Sequence, residues 1–137
     1  MKFRVVIAGC RWYDSFEEAE KFLDACLWHL MQRYSIVVLS GAARGADYLG
    51  ERYAAARGLI VERHPARWER YKRGAGHVRN EEMAELSDLV ICFWDGKSRG
   101  TKSMIDCAKR NGKQVIIKSI SQAVEKGADR KNAKQRQ

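Results

Sequence analysis

The sequence predicts an α/β fold: a doubly wound parallel sheet of about five strands, in the order 3-2-1-4-5, with helices on both faces. Three observations carry this. Short apolar runs alternate with helical patterns through the first 118 residues. Four of the five runs are continuously apolar rather than alternating, as strands buried on both faces require. The connections are short, which suits right-handed crossovers between parallel neighbours.

The first strand is Phe3–Ala8, followed by the loop Gly9-Cys-Arg-Trp-Tyr-Asp14. Ser15, with Glu18 three residues on, forms a capping-box pattern for a helix reaching about Arg33. Phe16, Ala19, Leu23, Cys26 and Leu30 give that helix one apolar face. The second strand is Ile36–Leu39. A helix from about Asp47 to Arg57 follows, with Leu49, Tyr53 and Ala56 on one face and Gly58 as its stop. The third strand is Leu59–Glu62. Pro65 opens a polar loop that runs through Gly76. A third helix covers about Val78–Leu86, the fourth strand Asp88–Phe93, and a fourth helix Thr101–Arg110, closed by Asn111 and Gly112. The fifth strand is Gln114–Lys118.

A chain of 137 residues with 45% hydrophobic and 31% charged content fits one soluble domain with one core. No apolar run approaches the roughly 20 residues of a membrane span, and the first strand follows the N-terminus too closely for a signal peptide. Cys10, Cys26, Cys92 and Cys107 form no C-x-x-C pair and have no histidine at zinc spacing. His29, His64 and His77 are scattered. The expectation is therefore a cytoplasmic protein without a metal site. The net charge is +9, and Lys118–Gln137 carries six basic against two acidic residues. The domain is expected over 1–118, with 119–137 a disordered basic tail. Such a tail attracts nucleic acid or serves solubility alone.

Two stretches rhyme. Ile36-Val-Val-Leu-Ser-Gly-Ala-Ala-Arg-Gly-Ala-Asp47 and Leu89-Val-Ile-Cys-Phe-Trp-Asp-Gly-Lys-Ser-Arg-Gly-Thr101 each join an apolar strand to a helix through a glycine loop holding one arginine. Unpaired N–H groups and the helix dipole make such a junction a seat for an anion. The order 3-2-1-4-5 puts the switch point between the first and fourth strands, where loops 9–14, 41–47 and 95–101 converge. The expected ligand is thus phosphorylated. Each residue also has a plainer reading. Gly41, Gly45 and Gly100 also suit simple turns, and Arg44 and Arg99 also suit solvated loops, although a guanidinium beside free N–H groups is what phosphate recognition uses. Asp47 either caps its helix or meets a ribose hydroxyl. Trp12 and Trp94 either pack in the core or stack on a base. Cys10 lies in the first loop, but no histidine or basic partner is placed beside it by sequence to make it a nucleophile.

Gly9-x-Arg11, Ser40-Gly-x-x-Arg-Gly-x-Asp47, Arg79-Asn-x-x-Met83 and Asp95-Gly-x-Ser-Arg-Gly-Thr101 occur here in order. Together they resemble the YspA/YpsA-related branch of the SLOG superfamily, over residues 3 to about 118. The resemblance implies a Rossmann-like sheet that binds nucleotides or nucleotide-derived ligands. Related groups include cytokinin-activating phosphoribohydrolases, molybdenum-cofactor carrier proteins, nucleotide-sensing domains of conflict systems and the DNA-processing protein. With the loop readings above, it gives expected ligand-binding roles for Gly9, Arg11, Ser40, Gly41, Arg44, Gly45, Asp47, Arg79, Asn80, Asp95, Gly96, Ser98, Arg99, Gly100 and Thr101, joined by Trp12 from its place in the first loop, and it suggests a homo-oligomer. The phosphoribohydrolases carry P-G-G-x-G-T-x-x-E with a catalytic glutamate, and that position falls here on Met104, which cannot ionise. Arg79, Asp95 and Asp14 remain as catalytic candidates.

Three functions follow as expectations. The first is a sensor, carrier or sequestering module for a nucleotide-like ligand. The second is an enzyme cleaving the N-glycosidic bond of nucleoside monophosphates. The third is a single-stranded nucleic-acid binder, expected to be weak and salt-sensitive. The fold alone does not choose among them.

Overall fold

The structure is a computed structural model and describes residues 1–122. Its elements are β1 (Lys2–Gly9), α1 (Phe16–Met31), β2 (Ser35–Ser40), α2 (Ala46–Arg57), β3 (Ile60–Arg63), the short α3 (Trp68–Tyr71), α4 (Ala75–Leu86), β4 (Leu89–Trp94), α5 (Arg99–Arg110) and β5 (Gln114–Ser119). The five strands form one sheet in the order β3-β2-β1-β4-β5. Every pairing is parallel, with Val5 opposite Val38 and Ile7 opposite Ile91. This is the doubly wound, Rossmann-like arrangement expected.

The continuous apolar runs have a direct cause in the period of a strand: successive side chains of β1 enter opposite cores. Val5 and Ile7 join Leu23 and Leu27 of α1 and Leu49 and Tyr53 of α2 on one face. Val6 and Ala8 join Met83 and Ala84 of α4 and Met104, Ile105 and Ala108 of α5 on the other. All four of these β1 side chains are buried, as the hydrophobic effect requires of a central strand covered twice. The edge strands β3 and β5 are only partly covered, with Ile60 and Ile117 exposed. No helix among the described residues is long and apolar enough to cross a membrane.

Three local expectations change. The Ser15–Glu18 capping box does not form: the Ser15 side chain makes no cap bond, and Glu18 instead accepts from the Tyr13 hydroxyl. Ser15 contributes only its carbonyl, which accepts the Ala19 N–H at 3.0 Å. The polar loop after Pro65 contains α3 and a 3₁₀ turn over Lys72–Gly74. Neither buries a residue, so no apolar period marks them in the sequence. Finally, α4 starts at Ala75 rather than Val78, because Ala75 is buried and packing extends the helix across Gly76. Gly58 does end α2 in the left-handed conformation, at φ 69°. The last strand reaches Ser119, and the Ile120 N–H bonds to the Trp94 carbonyl. Most of the basic tail, residues 123–137, lies outside the described residues.

Candidate functional site

The loops after β1, β2 and β4 meet at the carboxyl end of the sheet, and one residue ties them together. Cys10 donates its N–H to the Phe93 carbonyl at 3.0 Å, and its own carbonyl accepts the Ala46 N–H at 3.1 Å. The N-terminus of α2 is thereby drawn against the first loop. Gly45 makes this approach possible: its φ is 79°, and a Cβ there would collide with the Cys10 and Arg11 carbonyls.

Between these loops lies a cleft of about 500 Å³, within the size range of small-ligand sites. Gly9 lines it from the end of β1, Arg11 and Trp12 from the first loop, Asp47 from α2, Arg79 and Asn80 from α4, and Asp95, Ser98, Gly100 and Thr101 from the β4–α5 junction. Ten of the expected ligand residues thus share one cavity. A second cavity of about 470 Å³ adjoins it and holds Gly41 and Arg44. Ser40 is buried beneath the loop, donating to Glu51 at 2.6 Å and accepting the Ala42 N–H at 3.1 Å. Gly45 is structural in the way described, and Gly96 shapes its turn with φ 81°. Arg99 lies elsewhere, in a shallow hollow with His77 and Lys102. Asp14 is exposed and outside the cleft lining.

Arg79 reaches the loop after β2. Its Nη1 donates to the Gly41 carbonyl at 2.6 Å and its Nε to Asn80 Oδ1 at 2.9 Å. A Cβ on Gly41 would stand 2.6 Å from that Nη1 and 2.7 Å from Asp47 Oδ2, so a side chain there would displace these two groups from the loop. Burial, followed by the charge of Arg11, lowers the Arg79 pKa, while Asp47 opposes the change. Burial also dominates at Asp47, lifting its pKa to about 6 against the pull of Arg79 and of the Ala43 N–H. Two guanidinium groups therefore face one cavity, beside a carboxyl that ionises reluctantly. Such an arrangement is chemically suited to an anion.

The opposite wall is more settled. Asp95 accepts the Ser98 and Lys97 N–H groups at 2.9 and 2.8 Å, and the Trp12 indole N–H at 3.2 Å. Led by the Ser98 bond, these hold its pKa down to about 2. It stays ionised in ordinary buffers and cannot serve as a general acid. Its bond to Trp12 orients a half-buried indole at the cleft wall. The Trp94 N–H donates to the Ser98 carbonyl at 3.1 Å, and its ring packs against both cores, the plainer of its two readings. Ser98 caps α5, accepting the Thr101 N–H at 3.4 Å. The amides of Arg99 and Gly100 precede the first helical acceptor. Cys10 is buried, and desolvation raises its thiol pKa, which disfavours the nucleophilic thiolate. Met104 forms part of the cleft floor and is almost completely buried.

Two features escaped sequence reasoning. Lys97 also lines the cleft, although its motif position tolerates any residue. His77, Glu81 and Cys107 come within 4.8 Å of one another, from two helices whose spacing gives no metal signature. Glu81 accepts from Arg110 at 3.1 Å and Asn111 at 3.0 Å, and Arg110 Nη2 stands 3.3 Å from the Cys107 sulfur. A cation there would meet a guanidinium.

A profile described as the YspA, cpYpsA-related SLOG family matches residues 3–71. The Gene 61 protein of Mycobacterium phage D29 is similar at 36% identity over 120 residues, covering 82% of this chain and 94% of that protein. Among solved structures, the C-terminal domain of a hydrogenase from Pyrococcus furiosus is similar with a TM-score of 0.44 at 17% identity, covering 85% of this chain and 91% of that one.

Proposed function

The chain belongs to the YspA, cpYpsA-related SLOG family, a group of nucleotide-related Rossmann-like modules, and from that premise we propose that it binds a nucleotide or nucleotide-derived phosphorylated ligand without turning it over. The ligand occupies the cleft at the carboxyl end of the sheet, and the protein acts as sensor, carrier or sequestering module. The observation that carries this reading is the pair Arg11 and Arg79. Both line one cavity, Arg79 is half-buried, and the charge of one disfavours the charge of the other. A phosphate between them relieves that repulsion with charge-assisted hydrogen bonds. Trp12, held by Asp95, offers a face for a base.

Binding without turnover is supported by the carboxylates. The position corresponding to the phosphoribohydrolase glutamate is the buried thioether of Met104, Asp95 is held ionised by backbone N–H groups and cannot donate a proton, and Asp14 stands outside the cleft. Asp47, the cleft carboxyl whose pKa is raised to about 6, is engaged by the Ala43 N–H beside Arg79. The test is calorimetry with the four common nucleoside 5′-monophosphates. Arg79→Ala and Arg11→Ala are each expected to weaken binding by about 1.5–3 kcal/mol, the range for a charged hydrogen bond. Arg99→Ala, outside the cleft, is expected to change nothing. Equal affinities for wild type, Arg11→Ala and Arg79→Ala would remove the cleft as the site. Steady release of free base would replace the binding reading with the hydrolase.

A further inference from the structure

We propose that the ligand is two-part: two nucleosides joined 5′ to 5′ through pyrophosphate, one base in the main cleft and the other in the adjoining cavity against Trp68. This rests on the nucleotide-binding reading above and narrows its ligand. The two cavities, about 500 and 470 Å³, are contiguous and share Arg11, Ala43 and Arg79 as their common boundary. Each alone is large enough for one small ligand of nucleoside size. A mononucleotide anchored on the two arginines would therefore leave the other cavity to water.

The chemistry is laid out in the same sequence as such a ligand. Each cavity has one tryptophan in its wall, Trp12 in the first and Trp68 in the second. Trp12 is oriented by Asp95. Trp68 is 53% exposed and belongs to neither hydrophobic core among the described residues, so core packing does not account for it. An indole with a free face beside cationic groups is a platform for a base. The two guanidinium groups at the boundary match the two charges of a pyrophosphate. Arg79 keeps Nη2 free of any hydrogen bond among the described residues, while Nε and Nη1 are engaged. Arg44, exposed in the second cavity, adds a third guanidinium on the far side. The two cavities together carry four cationic side chains, Arg11, Arg79, Lys97 and Arg44, against the carboxyl groups of Asp47 and Asp95, a surplus of two that matches a compact dianion.

The experiment is calorimetry on the full chain with three probes. These are the four nucleoside 5′-monophosphates, the corresponding symmetric dinucleoside 5′,5′-pyrophosphates, and a thymidine decamer. Wild type is compared with Trp68→Ala, Arg44→Gln and, as a surface control, Trp28→Ala. The pyrophosphate-linked compound of the best-bound base is expected to bind at least about tenfold tighter than its monophosphate, the scale of one added stacking contact. Trp68→Ala should remove that gain and leave monophosphate affinity unchanged, Arg44→Gln should also remove the gain, and Trp28→Ala should change neither affinity. A gain that is absent, or that survives both Trp68→Ala and Arg44→Gln, overturns the two-part ligand while monophosphate binding keeps the cleft reading intact. A decamer that binds more tightly than every dinucleotide overturns it in favour of a strand. Failure of all mononucleotides and dinucleotides to bind removes both readings.

Discussion

Asp47 shows how far a local environment can move one side chain from its ordinary chemistry. It is 6% exposed and accepts the Ala43 N–H, yet its pKa stands at about 6 because burial outweighs the favourable charge of Arg79. In the unfolded chain it ionises near 3.8. Between these values the folded protein holds a proton that the unfolded chain has released. The contribution is therefore fully present below about pH 4 and is lost as the pH rises through about 6. Asp47→Asn keeps an acceptor for the Ala43 N–H and removes the titration. It is expected to stabilise the ligand-free protein by about 1–3 kcal/mol at pH 8 and by nothing below pH 4. Denaturant melts at the two pH values check this, and equal differences at both would show that Asp47 does not titrate with folding.

At the scale of elements, the two serine caps differ although they look alike in sequence. Ser98 accepts the Thr101 N–H and the Thr101 hydroxyl, so it satisfies the first turn of α5 at the cleft wall. Ser15 makes no such bond, and the Glu18 carboxylate accepts from Tyr13 instead. Ser98→Ala is expected to cost about 1 kcal/mol and Ser15→Ala less than about 0.5 kcal/mol. Thermal melts of the two variants decide it, and a larger loss at Ser15 would contradict the cap geometry. Gly45 is the stricter case. Any side chain there meets two carbonyls, so Gly45→Ala is expected to separate α2 from the first loop and to abolish nucleotide binding together with much of the stability.

At the scale of the molecule, double winding is what assembles the site. Helices α1 and α2 cover one face of the sheet and α4 and α5 the other, so the loops after β1, β2 and β4 are left to meet at the crevice between. The net charge of +9 adds a long-range attraction for any polyanion, separate from the cleft. Removing residues 123–137 takes away five basic and two acidic groups. Nucleotide affinity is expected to be unchanged by this deletion, whereas binding to a thymidine decamer should weaken and lose much of its salt dependence. Fluorescence anisotropy at several salt concentrations measures both. Undiminished, salt-insensitive strand binding by the shortened chain would place nucleic-acid recognition in the folded domain instead.

The strands, their order and the family were legible in the sequence because each rests on local pattern. Residues such as Val5, Val6, Ile7 and Ala8 must all be apolar when both faces of a strand are covered, and the glycine-arginine loops stand directly after such runs. Short exposed elements such as α3 were not legible, since a segment that buries nothing has no apolar period to read. Nor was the division of labour among the arginines. Arg44 and Arg99 hold equivalent places in two rhyming loops, yet one lines the second cavity and the other lies apart in a shallow hollow. Arg79, from a helix 38 residues beyond Gly41, reaches into the cleft and binds that glycine's carbonyl. Spacing along a chain reports which side chains share a strand or a helix face. Which charges share a cavity depends on how separate elements cross the sheet, and on the loss of water there that set Arg79 and Asp47 apart from ordinary arginine and aspartate.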